Sequence, residues 1–246
     1  MTIQNLDSLH PDIMKPVKRF STDLIDLHGD NLLSLLVYGL ATEKSFSMKF
    51  GRISMLAVFN SVDIDVLRSS LKVVRKGNKK KIIAPLFFSE SHIQTSLDTF
   101  PIEFLEIKNR HVCIYGQDFF KDISVDTSNL RFVCEQKIKS LVISLQQSYL
   151  EVGLAKKGIE RLVLESFDAL LPLFRAVLVV KGEAVPEDKE SLIMQVCSLA
   201  NISSAVFMMV LKDRAGDEQI GGQEAVQFLG NYLGELQKLT QFIDAA

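Results

Sequence analysis

A single change of hydrophobic period near Leu130 divides this sequence into two kinds of chain. Before it, short apolar runs alternate with amphipathic stretches. From Leu130 to the end, apolar residues recur only at helical spacing. A sheet must bury a face against helices, and a segment with no strand signal must bury helix against helix. The expected fold class is therefore α+β: a mixed sheet with helices over residues 1–128, then an antiparallel helical bundle over 129–246. The 246 residues are enough for two modest domains. Bundle helices are expected near 130–152, 157–181, 187–211 and 222–244, separated by Gly153, Gly158, Gly182 and Gly221-Gly222.

In the first part, residues 12–30 carry the spacing of a helix ending near Gly29. Residues 31–38 (NLLSLLVY) and 53–59 (ISMLAVF) read as buried strands, and the polar, alternating stretch between them suits a hairpin-like connection. Ile64, Leu67, Leu71 and Val74 mark a helix capped by Ser61 or Asp63 and ended by Gly77. Residues 81–88 (KIIAPLFF) form a third strand, which Pro85 assigns to an edge or an irregular position. A short helix over 91–98 follows. Residues 101–108 (PIEFLEIK) alternate with period two and read as a fourth strand before HVCIY at 111–115.

Composition removes several function classes. The formal charge of −2 gives no global attraction to nucleic acid or to an anionic membrane. The one dense basic stretch, with Lys72, Arg75, Lys76, Lys79, Lys80 and Lys81, has no interleaved aromatic residue and reads as a solvated helix end and loop. Cys113, Cys134 and Cys197 lack metal-ligand spacing and read as buried hydrophobes in a reducing compartment. No apolar run is long and uncharged enough for a membrane span, and the N-terminus lacks a signal-peptide pattern, so a cytoplasmic location is expected. No Gly-x-Ser-x-Gly elbow occurs. His10, His28, His92 and His111 all precede the helical half, which excludes imidazole-based cleavage there.

Two patterns near the first strands carry weaker chemistry. Gly39 followed by Lys44-Ser45 lacks the second glycine and the helix that a phosphate-binding loop requires. Asp63-Ile64-Asp65 could share a metal if it lay on a strand, but it opens a segment of helical period, where acids favour the helix N-terminus.

The remaining arrangement, a strand closed by Gly39, about a dozen residues and then a second strand, resembles the nucleotidyltransferase fold of the DNA polymerase beta superfamily. Residues 85–120 look like a segment found in bacterial nucleotidyltransferase-like proteins of unassigned function. The later helices resemble bundles fused to such domains in antibiotic nucleotidyltransferases and HEPN-type partners. The family pattern implies a Gly-Ser at the triphosphate, an Asp-x-Asp holding magnesium on the second strand, and a third acid on a later strand. Two metals would align the attacking hydroxyl and stabilise charge on phosphorus. Here Gly39 is followed by Leu40, and Arg52-Ile53-Ser54 stands in the place of Asp-x-Asp. Glu103 matches the third acid's place, and Glu106 is expected on the opposite strand face.

The resemblance thus implies a catalytically silent binding or regulatory module. Its nucleotide or small-molecule ligand would enter a degenerate cleft between Gly39, Arg52, Ser54, Glu103 and the bundle, with no cofactor. The alternatives are an active, magnesium-dependent transferase using Asp63 and Asp65, and a purely structural homodimer. Met194, Phe207, Met208, Met209, Phe228 and Leu229 read as bundle core, with surplus apolar surface for a second copy. Nucleic acid and membrane are not expected partners.

Overall fold

The computed structural model describes residues 2–43, 46, 48, 51–215 and 225–245. It contains two compact units, Met1–Val125 and Asp126–Ala246.

The first unit is built on a four-stranded sheet of order β3-β2-β1-β4. Helix α1 (Pro11–His28) precedes β1 (Leu32–Tyr38), and β2 (Ser54–Phe59) leads into α2 (Ile64–Asn78). Strand β3 (Leu86–Ser89), α3 (Glu90–Ser96), α4 (Pro101–Asn109) and β4 (His111–Gly116) follow. Strand β1 pairs antiparallel with both β2 and β4, while β2 and β3 are parallel. Both central strands are apolar on both faces because helices or loops cover both. Leu35, Val37, Met55, Ala57 and Phe59 pack with Val17, Phe20 and Leu24 of α1 and Val73 of α2. Leu36, Leu56, Val58 and Cys113 pack with Ile93 of α3, Phe104 and Ile107 of α4, and Phe120.

Residues 101–108 form helix α4, not the expected fourth strand. Pro101 sits in the first turn, where its missing N–H costs nothing and its fixed φ suits a helix. Ile102, Phe104, Leu105 and Ile107 are compatible with either period in so short a segment. The expectation for Glu106 changes with it: three residues apart on a helix, Glu103 and Glu106 share a side. The third strand is shorter than expected, with Ile82 contributing only an isolated bridge to Ile53. Its edge position agrees with Pro85 preceding it. Gly77 lies inside the last turn of α2 rather than ending the helix.

The second unit is helical throughout its described length: α5 (Leu130–Val152), α6 (Lys156–Val180), α7 (Lys189–Leu199), α8 (Ala205–Ala215) and α9 (Ala225–Asp244). Helix α6 packs against α5, α7, α8 and α9. Its core face carries Ile159, Val163, Phe167, Leu170, Phe174 and Val177. The helix expected over 187–211 is divided into α7 and α8. Asn201 takes a left-handed conformation (φ 50°), and the Ile202 N–H donates to the Cys197 carbonyl at 3.0 Å, which closes α7. Gly158 falls within α6 rather than between helices, and Gly221-Gly222 lies outside the described residues. Phe207 and Leu229 are core residues as expected, whereas Met194 and Met209 are exposed. All three thiols are buried, and burial pushes those of Cys134 and Cys197 up to about 12.

Candidate functional site

One end of the sheet brings the glycine turn and the polar strand ends together. Gly39 closes β1 with φ 66°, a conformation that favours glycine. Its N–H donates to the Arg110 carbonyl (2.8 Å), and the Thr42 hydroxyl donates to the Gly39 carbonyl (2.8 Å). The 3-10 turn over Gly39–Thr42 is tied to the start of β4 by a nearly buried ion pair, Arg110 Nη2 to Glu43 Oε1 at 2.6 Å. Lys44-Ser45, the phosphate-loop pattern, lies outside the described residues.

Strand register then defines a row across three strands. Tyr38 stands opposite Ser54 on one side and His111 on the other. Directly opposed residues of antiparallel strands project to the same face. Burial pushes the Tyr38 hydroxyl up, and the facing Ser54 side chain partly opposes that shift. His111 is only 9% exposed. Its Nδ1 donates to the Ile107 carbonyl (2.8 Å), and Nε2 lies 3.0 Å from both Asp118 oxygens. Asp118 also accepts from the N–H groups of Phe120 (3.0 Å) and Lys121 (3.1 Å). Both ring nitrogens of His111 are thus occupied by protein partners.

Arg52 and Ser54 flank the buried Ile53, so strand alternation sends both away from the α1–α2 core. Arg52 is exposed and makes no ion pair among the described residues; Ser54 is half-buried. Gly39 and Ser54 therefore converge at this sheet end, with Arg52 just beyond it. Glu103 lies in the first turn of α4 rather than on a strand. The later strands, LFFS and HVCIYG, hold no acid at all.

Asp63 and Asp65 occupy the opposite end of β2. Asp63 Oδ1 caps α2, accepting from the N–H groups of Asp65 (3.0 Å) and Val66 (2.8 Å), and Asp65 pairs with Arg68 at 3.3 Å. Five residue steps of β2, about 17 Å at strand rise, separate that end from Ser54. Among the described residues no group of three His, Cys, Asp or Glu side chains is placed to hold a metal. The Tyr38–Ser54, His111–Asp118 and Arg110–Glu43 pairs had no signal in the sequence, since each depends on register or on a loop returning to the sheet.

Over 96% of its length this chain superposes on 99% of a solved spectinomycin adenyltransferase, AAD(9) from Enterococcus faecialis, with a TM-score of 0.58 and 11% identity. The fold is that of a nucleotidyltransferase. That neighbour was solved with ATP and spectinomycin. No protein-family model and no curated protein matches the chain. Beside the Gly39 turn, positions 52 and 54 carry an arginine and a serine.

Proposed function

We propose that this nucleotidyltransferase-fold protein binds a nucleotide or a related small molecule without transferring a nucleotidyl group, and serves as a regulatory module. The observation that carries this reading is the occupancy of the sheet end beside Gly39. Arg52 and Ser54 stand where the resemblance calls for metal-binding acids, Ser54 faces Tyr38 across the strands, and neither β3 nor β4 supplies a carboxylate. Two-metal phosphoryl transfer needs a set of carboxylate ligands, and a serine hydroxyl is a weak one. The exposed guanidinium of Arg52 offers instead a fixed charge that can pair with a phosphate in the cation's place. The adenyltransferase neighbour, solved with ATP, supports a nucleotide as the ligand class. The alternative transferase built on Asp63 and Asp65 is disfavoured, because Asp63 is committed to the α2 cap at the other end of the strand.

Thermal-shift measurements with ATP, GTP, CTP and UTP, with and without magnesium, test the reading. A shift that does not require magnesium and falls on Arg52→Ala is expected, with no nucleotidyl product in a labelled-ATP assay. Loss of all nucleotide shifts, or magnesium-dependent product formation, would sink it. No helix among the described residues is long and apolar enough to cross a membrane, and the buried free thiols fit a reducing cytoplasm.

A second reading, a homodimer through the bundle, is favoured by α5. Phe132, Ile143 and Leu150 are exposed and form one stripe opposite the buried Cys134, Ile138 and Leu145. Changing all three to Gln is expected to convert a dimer to a monomer in light scattering. A mass unchanged by the substitutions removes this face from consideration.

A further inference from the structure

We propose that the outward face of α2 docks an acidic amphipathic helix from a partner protein, a role separate from any ligand near Gly39. Helix α2 packs inward through Ser70, Val73 and Gly77. Facing away from them are Ile64, Leu67 and Leu71, which are 65%, 44% and 52% exposed. At about 100° per residue these three form one stripe, and Arg68, Lys72, Arg75 and Lys79 form the stripe directly beside it. Between them, Arg68, Leu71, Lys72, Arg75 and Lys79 leave an open surface along this one helix. Lys76 is paired with Asp23 of α1, and Arg68 with Asp65, but Lys72, Arg75 and Lys79 make no ion pair among the described residues.

A solvated helix end explains the lysines but not three large apolar side chains on the same outer surface. The two stripes together fit a ligand that is both apolar and anionic. A nucleic-acid backbone supplies the charge but no apolar surface for Ile64, Leu67 and Leu71. An anionic lipid surface supplies both, yet Asp63 and Asp65 are exposed at the N-terminal end of the stripe and would face that uniform negative plane. A protein helix can place its acids over Lys72, Arg75 and Lys79 and leave other residues beside Asp63 and Asp65. That is helix-on-helix recognition, with apolar anchors at helical spacing and charges setting the register.

The probe is a synthetic helical peptide of about five turns, with one leucine stripe flanked by glutamates, and a counterpart carrying lysine in place of glutamate. Fluorescence anisotropy should show micromolar binding of the glutamate peptide to the full chain and none of the lysine peptide. The triple variant Lys72→Glu, Arg75→Glu, Lys79→Glu, whose sites are all exposed, should reverse that preference while circular dichroism stays unchanged. Leu67→Asn with Leu71→Asn should weaken binding about tenfold or more, through loss of buried apolar area. Equal binding of both peptides, no binding of either, or displacement of the glutamate peptide by phosphatidylglycerol-containing vesicles or by polyuridylate RNA would each overturn the proposal.

Discussion

At Gly116 a side chain has nowhere to go. A Cβ there would lie 1.8 Å from the Leu33 carbonyl oxygen of the neighbouring strand, and φ is 74°. Gly39 has a similar φ of 66° but open space where its Cβ would stand. Gly116→Ala is therefore expected to cost about 2–4 kcal/mol, combining strain and backbone displacement. Gly39→Ala should cost only about 1–2 kcal/mol, the left-handed penalty alone. Urea unfolding midpoints check the order, and equal costs would contradict it. In the bundle, the buried Tyr232 hydroxyl lies 3.0 Å from Ser166 Oγ, which itself donates to the Val163 carbonyl. Ser166→Ala strands a buried phenol and should cost about 1–3 kcal/mol, whereas Tyr232→Phe leaves Ser166 satisfied and should cost about 0.5–1.5 kcal/mol. Chemical denaturation of the two variants separates them. His28 supplies a pH dependence. Ser70 donates to the Val66 carbonyl, so its oxygen accepts from His28 Nε2 at 2.7 Å, and burial lowers the His28 pKa below 6.5. The unfolded chain then binds more protons between the folded pKa and 6.5, so stability rises with pH across that window and is fully present above it. His28→Gln should flatten the Tm-versus-pH curve below pH 6.5; an unchanged slope would assign it to other groups.

At the scale of elements, α2 and α4 show when a local pattern suffices. Ile64, Leu67, Leu71 and Val74 recur at helical spacing behind Asp63, so one cap and one period specify α2. Asp63→Ala should cost about 0.5–2 kcal/mol of stability, the usual loss of an N-cap. Under the binding reading it should leave any nucleotide-induced thermal shift intact. A lost shift with preserved fold, seen by circular dichroism, would return Asp63 to the site. Segment 101–108 has no such discrimination, because both its helical and its alternating faces are apolar. It became a helix because its place in the fold is a cover for Leu36, Leu56 and Val58, with Phe104 and Ile107 turned toward them. The break between α7 and α8 was written in Asn201 and Ser203. A left-handed Asn ends one helix there, and Ser203 Oγ accepts from the Ala205 N–H (3.3 Å) at the start of the next. Continuous apolar spacing through 187–211 masked those two residues.

Across the whole molecule, the change of period at Leu130 separates the two kinds of architecture, sheet with helices before it and helices alone after it. The sheet end, however, is a property of chain crossing. Gly39, Ser54 and His111 are neighbours only because β1 is central and antiparallel to both β2 and β4. Since the other acids at this end are already paired, Asp118 with His111 and Glu43 with Arg110, Arg52→Asp with Ser54→Asp is expected to make nucleotide binding respond to magnesium without restoring transfer. Labelled nucleotidyl product from that double variant would show that a third acid is within reach. What the sequence determined alone was whatever depends on neighbours a few residues away: the periods of most elements, the cap at Asp63, and the residue types beside the glycine turn. Only the tertiary structure decided that 101–108 is a helix carrying Glu103, that Tyr38 stands opposite Ser54, and that His111 meets Asp118. Those outcomes depend on register and on which apolar face is left to cover, and both are settled by contacts between segments far apart in the chain.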